Sequence, residues 1–164
     1  HRIMKKITAI LVEDNALALE MLTKDISKYH REIEVIGTAK SVVEASKLLR
    51  KNKPDILFLD IMLRDGTGFD ILEIFPNLNS KIIFVTASDA HAIKAFKFAA
   101  IDYILKPYSN EDLADAIEKA QKQLQPAIGQ LNVLKEVITR PNNELEKISL
   151  HTLDKIIIAN IRQI

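Results

Sequence analysis

The stretch PDILFLD, residues 54–60, decides the fold of this chain. Four consecutive apolar residues between a proline-aspartate pair and a charge are typical of a strand that is buried on both faces of a parallel sheet. A carboxylate that directly follows such a strand lies at the carboxyl edge of the sheet, where open α/β sheets place their functional groups. Asp60 is therefore the first candidate site residue.

Three other strand-like runs also end in polar residues that can carry chemistry. They are ITAILV (7–12) before Glu13 and Asp14, KIIFV (81–85) before Thr86, and IDYIL (101–105) before Lys106. Because the carboxyl ends of parallel strands share one edge, we expect these side chains to meet Asp60 at a single site.

Apolar runs alternate with stretches of helical periodicity five times over about 120 residues. Strands are predicted at 7–12, 33–37, 56–59, 81–85 and 101–105, and helices at about 16–30, 41–49, 69–75, 90–99 and 110–124, with Ser41 and Asn110 as N-caps. Two glycines in the turn at 63–68 are expected to take positive φ. The alternation predicts an α/β fold, a doubly wound parallel five-stranded sheet with right-handed crossovers.

Composition excludes several classes of function. The absence of cysteine rules out disulfides, cysteine-ligated zinc and thiol catalysis, and a formal net charge of +1 shows no overall basic footprint for nucleic acid. No apolar run reaches the roughly 20 residues that a membrane span requires, and no secretory signal is visible at the start. We expect a cytoplasmic protein without a membrane partner.

Three carboxylates at one sheet edge repel one another unless a cation lies between them. Mg²⁺ prefers such oxygen ligands, and its charge would allow a phosphoryl group to enter the site. The Lys106 ammonium and the Thr86 hydroxyl can then bind phosphoryl oxygens, and Asp60 is the best placed nucleophile. Each residue alone is more often a helix cap, a turn residue or a solvated charge, so the prediction depends on all of them occurring together in this order.

On these residues the chain resembles the receiver domain of two-component response regulators over about residues 4–124. The resemblance implies a (βα)5 fold of flavodoxin-like strand order and phosphorylation of Asp60 by a sensor histidine kinase. Mg²⁺ would be held by Asp14, Asp60 and the Met62 backbone carbonyl, with Glu13 acting mainly through water. It also implies a cis peptide bond before Pro107.

The same resemblance implies a switch. Thr86 would move toward the phosphoryl group and Tyr103 would fill the space it leaves, which changes a dimer or partner face formed by residues 90–124. Phe96 or Phe98 is expected to be exposed on that face, although both could equally be core residues in so apolar a segment.

The last part of the chain has a looser resemblance. Residues 146–164 resemble the opening strands of a LytTR-type DNA-binding domain, with residues 125–145 as a linker that contains a helix; an edge hairpin is the alternative. The resemblance implies a transcription regulator whose DNA-binding domain is truncated here, so that only the full-length protein would bind promoter DNA.

The sequence thus predicts a phosphoacceptor switch with self-dephosphorylation that controls a transcriptional output domain, and no metabolic enzyme. Two alternatives remain. One is a Mg²⁺-dependent phosphohydrolase of the haloacid-dehalogenase kind, which requires a second acid where Met62 stands. The other is a degenerate receiver that acts only as a protein-interaction module.

Overall fold

A computed structural model describes residues 6–124 of the chain. In chain order its elements are β1 (Ile7–Val12), α1 (Ala16–Tyr29), β2 (Ile33–Ala39), α2 (Val42–Lys51), β3 (Ile56–Leu59), β4 (Met62–Leu63), β5 (Gly66–Thr67), α3 (Gly68–Ile74), β6 (Lys81–Thr86), α4 (Ala92–Lys97), β7 (Asp102–Leu105) and α5 (Asn110–Gln123). The five strands and five helices predicted for residues 7–124 are all present.

The five long strands form one parallel sheet in the order β2-β1-β3-β6-β7. This is the flavodoxin-like order, in which the chain reverses its direction across the sheet between β1 and β3. The predicted fold class, a doubly wound parallel α/β sheet, is confirmed. β4 and β5 form a separate antiparallel hairpin of two residues each, immediately after the central strand β3.

Alternating side chains of each central strand enter two hydrophobic cores, one on each face of the sheet. In β3, Ile56 and Phe58 pack with α1 and α5, whereas Leu57 and Leu59 pack with α2, α3 and α4, and all four are fully buried. A strand that is apolar on both faces can be satisfied only by such a three-layer arrangement. The two cores hold β3 rigidly, and Asp60 follows it directly.

The cap predicted for the last helix was wrong by one residue. The N-cap of α5 is Ser109, whose side chain accepts a hydrogen bond from the Asp112 N–H at 3.0 Å, while the Asp112 carboxylate accepts one from the Ser109 N–H. Asn110 is the first residue of the helix. The reciprocal capping box needs a hydroxyl three residues before an acid, and that spacing favours Ser109.

α4 is shorter than predicted, six residues in place of about ten. Ala99 has a φ of 58°, in the left-handed region, so the chain leaves the helix there despite its apolar composition. Phe96 is 43% exposed, whereas Phe98 is half-buried with its ring 5.4 Å from that of Phe69. The expectation of an exposed phenylalanine therefore holds for Phe96, and Phe98 belongs to the core.

The turn at 63–68 also differs from the prediction in one respect. Gly66 has a positive φ of 159°, but Gly68 begins α3. None of the helices in residues 6–124 is long and apolar enough to cross a membrane. The predicted linker at 125–145 and the predicted strands at 146–164 lie outside the described residues.

Candidate functional site

The carboxyl ends of four parallel strands bring the predicted site residues together. Backbone hydrogen bonds continue the ladders one residue beyond β1, β3 and β7. The N–H groups of Glu13, Asp60 and Lys106 donate to the carbonyls of Ala39 (2.9 Å), Val12 (2.9 Å) and Thr86 (2.8 Å). The backbones of these three residues are therefore fixed by the sheet, and their side chains start from one common edge.

Glu13, Asp14 and Asp60 form a compact acidic cluster. One carboxylate oxygen of each lies within 4.8 Å of the others. Glu13 and Asp60 are 4% and 6% exposed, while Asp14 is half-buried. Two carboxylates that are so deeply buried need a counter-charge, because desolvation strongly disfavours an uncompensated ion.

Lys106 supplies that counter-charge. Its ammonium donates a hydrogen bond to Asp60 Oδ2 at 3.0 Å and another to Glu13 Oε1. Burial alone would lower the pKa of Lys106, but the hydrogen bonds and charges of the two carboxylates outweigh burial and raise that pKa. The peptide bond before Pro107 is cis, as the family resemblance implied.

Burial raises the pKa of Glu13 to about 7, although the hydrogen bonds from Lys106 and from the Asn15 N–H act in the opposite direction. The neighbouring Asp60 charge adds to the rise. A carboxyl group with such a pKa gains a proton readily unless more positive charge enters the site.

Asp60 is oriented from its own turn. Its Oδ1 accepts a hydrogen bond from the Ile61 N–H at 2.7 Å, and the Ile61 carbonyl accepts one from the Gly68 N–H at 2.8 Å. The segment after Asp60 then folds into the β4–β5 hairpin, which contains Met62. Met62 thus begins the hairpin two residues after Asp60.

Gly68 is required at its position by close approach. A Cβ built on Gly68 would overlap the Asp60 carbonyl oxygen and lie 2.8 Å from Leu59 Cγ. This overlap is with a backbone atom, so no side-chain rotation can relieve it. Moving the carbonyl would displace Asp60 itself.

We expect Gly68→Ala to lower the stability of the chain by about 2 kcal/mol and to weaken Mg²⁺ binding. Gly37→Ala is the matched control, because its Cβ would meet only the end of the Leu48 side chain at 3.1 Å. Thermal unfolding and calorimetric Mg²⁺ titration of both variants test this. Equal effects of the two substitutions would contradict the close-approach argument.

Thr86 and Tyr103, the predicted switch pair, both contact Ser88. Thr86 is buried, and its Oγ1 accepts a hydrogen bond of 3.5 Å from the Ser88 N–H; the Tyr103 hydroxyl donates to the Ser88 carbonyl. The Tyr103 ring lies 6.1 Å from that of Phe84, and burial raises the pKa of Tyr103 to about 12. The two residues are thus joined through the loop that follows β6.

Two polar pairs in the described residues were missing from the sequence prediction. Lys119 of α5 forms an ion pair of 2.9 Å with Asp102, which is 2% exposed in β7. The Tyr108 hydroxyl donates a hydrogen bond of 2.7 Å to Asp25 of α1. A charge inside the apolar run IDYIL was a visible signal for the first pair, since buried charges are normally paired. No local pattern indicated the second.

The donor set fits a hard divalent cation. Carboxylate oxygens from two adjacent strands converge, and the Met62 backbone is close enough in sequence to add a carbonyl. Mg²⁺ takes one or two carboxylates together with waters and substrate oxygens, which suits a cluster that is open on the Asp14 side. The set contains no sulfur or imidazole that would favour a softer metal.

The family model for the response regulator receiver domain matches residues 9–118. The sensory transduction protein LytT of Bacillus anthracis is 38% identical over 161 residues, 94% of this chain and 63% of that protein. LytT of Enterococcus faecalis is 41% identical over 121 residues, 73% of this chain and 50% of its own length.

Among solved structures, the response regulatory domain of mrkE from Klebsiella pneumoniae superposes with a TM-score of 0.66 at 32% identity, covering 71% of this chain and 97% of that domain. The chain spans less than two thirds of the length of the two LytT proteins.

Proposed function

We propose that this chain, which belongs to the response regulator receiver domain family, is a phosphoacceptor switch in which Asp60 accepts a phosphoryl group from a sensor histidine kinase. One observation carries the proposal. The Asp60 carboxylate is 6% exposed at the end of the central strand and lies between two other acids and the Lys106 ammonium. An aspartate that only caps a helix or a turn does not require burial beside two other carboxylates and an ammonium group.

The chemistry is a phosphoryl transfer between two nucleophiles. An Asp60 carboxylate oxygen attacks the phosphorus of a phosphohistidine, a P–O bond to Asp60 forms, and the P–N bond breaks. The electron pair of that bond returns to the imidazole nitrogen, which takes up a proton. The product is an acyl phosphate, whose later hydrolysis transfers the phosphoryl group to water and regenerates the carboxylate.

Charge compensation is the main task of the surrounding residues. Asp14, Asp60 and the Met62 carbonyl would bind Mg²⁺, with Glu13 acting through water, and the bound ion would neutralise phosphoryl oxygens. Lys106 is near enough to Asp60 Oδ2, at 3.0 Å, to follow the new phosphoryl group as a point charge. Asp60 is 6% exposed, so its carboxylate has little contact with bulk water.

The added dianionic group would act on Thr86 and Tyr103. A hydroxyl drawn toward a phosphoryl oxygen must release the Ser88 N–H, and the Tyr103 hydroxyl is bonded to the carbonyl of the same residue. The readout would be a change in the surface of residues 90–124, where Phe96 and Leu105 are exposed. This surface would bind a second copy or another partner.

We extend the proposal to the whole protein. Residues 4–124 would be the receiver domain, 125–145 a linker and 146–164 the start of a LytTR-type DNA-binding domain, so that promoter DNA is a partner of the full-length regulator. The similarity to LytT proteins over 94% of the chain supports this assignment. The protein would act in the cytoplasm, where histidine kinases present their phosphohistidine.

Intact-mass spectrometry of the chain with Mg²⁺ and acetyl phosphate tests the proposal. We expect one phosphate adduct, no adduct in the presence of EDTA, and a slow return to the unmodified mass after the donor is removed. Continuous turnover of acetyl phosphate without an adduct would favour a phosphohydrolase. Neither adduct nor turnover with acetyl phosphate, or with a phosphorylated kinase, would indicate a pure interaction module.

A further inference from the structure

A polar side chain of the hairpin that follows Asp60 is hydrogen-bonded to helix α2. Asp65, in the turn between β4 and β5, accepts hydrogen bonds from the first two backbone N–H groups of α2. The Val42 N–H donates to Oδ1 at 2.7 Å and the Val43 N–H donates to Oδ2 at 3.1 Å. The hydrogen bond from Val42 is the main reason that the pKa of Asp65 is lowered. Val42 and Val43 precede Asp65 by 23 and 22 positions in the sequence.

This contact does more than cap a helix. α2 already has a local N-cap, since Ser41 Oγ accepts a hydrogen bond from the Glu44 N–H at 3.0 Å. Asp65 satisfies different N–H groups and belongs to another element. Gly66, the next residue, is also close to α2, because a Cβ on it would lie 3.2 Å from Val42 Cγ2.

Leu63, just before the turn, is buried in the same core as Val42 and Ala45, but the turn itself is hydrogen-bonded to α2 through the exposed Asp65. β4 and β5 pair over two residues each, and so short a ladder is not stable by itself in water. At its base the hairpin is fixed by the Ile61 contacts to Asp60 and Gly68. At its tip Asp65 is the residue that accepts hydrogen bonds from α2. Between these two points lies the Met62 backbone.

We propose that Asp65 is a positioning residue for the magnesium site, because it fixes the hairpin against α2 and thereby orders the Met62 carbonyl beside Asp60. The inference rests on the proposed function. A ligand that is ordered before the ion arrives costs less conformational entropy on binding than one on a loose loop. Outer contacts that orient metal ligands commonly change metal affinity by one to two orders of magnitude.

The test compares two variants that both weaken the N-terminus of α2. Asp65→Ala removes the contact between the hairpin and the helix, whereas Ser41→Ala removes the local cap and leaves the hairpin contact intact. Isothermal titration of the 164-residue chain with MgCl₂ gives the affinity, and thermal unfolding gives the stability. We expect both variants to lose similar stability, but only Asp65→Ala to bind Mg²⁺ about tenfold more weakly. Asp65→Asn, which keeps one acceptor oxygen, should recover part of the affinity.

The outcomes separate this inference from the proposed function. Equal Mg²⁺ affinities for Asp65→Ala and the wild type, or equal losses in Asp65→Ala and Ser41→Ala, would overturn the positioning role alone. A wild-type chain that binds Mg²⁺ but takes no phosphate would overturn the phosphoacceptor function. The Mg²⁺ affinities of Asp65→Ala and Ser41→Ala would then still decide the role of Asp65. A wild-type chain that binds no Mg²⁺ would overturn both.

Discussion

Asp60→Asn is expected to abolish the phosphate adduct completely while the fold is retained. The amide has nearly the volume of the carboxylate, and its oxygen can still accept the 2.7 Å hydrogen bond from the Ile61 N–H. What is lost is the anionic oxygen that attacks phosphorus, which nothing else in the cluster replaces from the same position. Intact-mass spectrometry with acetyl phosphate and Mg²⁺ measures the loss, and circular dichroism confirms the fold.

Asp115→Asn is the matched control, because Asp115 is an exposed aspartate on α5, away from the sheet edge. Its adduct should form as in the wild type. Labelling of Asp60→Asn at the wild-type level would sink the assignment of Asp60. Partial labelling that peptide mapping locates on Glu13 or Asp14 would show instead that the cluster, and not one residue, selects the acceptor.

The sequence was informative about the fold because its central strands β1, β3 and β6 are largely buried on both faces. Runs such as ILFL in β3 cannot be exposed, and their polar successors must then lie at one edge. That argument predicts that Glu13, Asp14 and Asp60 lie together, and in the structure one carboxylate oxygen of each lies within 4.8 Å of the others.

Contacts made across the chain were not predictable in the same way. In the sequence Asp65 is typical of a turn, and its hydrogen-bond partners on α2 are more than twenty positions away. The Tyr108 contact to Asp25 spans 83 residues. Local sequence patterns indicate periodicity and helix caps. The hydrogen bonds of Asp65 and Tyr108 depend instead on the distance between elements far apart in sequence, and the packing of the core sets that distance.

Lys106→Ala is expected to destabilise the metal-free chain and to make Mg²⁺ strongly stabilising. In the wild type the ammonium is the counter-charge of two carboxylates that are 5% and 7% exposed at their side chains. Removing the ammonium leaves two buried carboxyl groups without their counter-charge, so that Glu13 must take up a proton or face the Asp60 charge, at a cost of about 2 kcal/mol after allowance for the partly exposed lysine. The thermal midpoint should fall by roughly 8 °C without metal and recover most of that loss in saturating Mg²⁺.

The same variant should separate metal binding from switching. In the proposed function Mg²⁺ would be an alternative counter-charge in the cluster, so its affinity should be unchanged or higher once the competing ammonium is gone. The phosphoryl group, however, would lose the contact with Lys106, and the phosphate-dependent NMR shifts of Thr86 and Tyr103 should shrink severalfold. Lys122→Ala, at an exposed lysine of α5 paired only with Glu118 at the surface, should change neither property. If Lys106→Ala lost Mg²⁺ affinity and the phosphate-dependent NMR shifts to the same degree, the lysine would only shape the site. A residue that contacts the phosphoryl group must affect the NMR shifts more than the Mg²⁺ affinity.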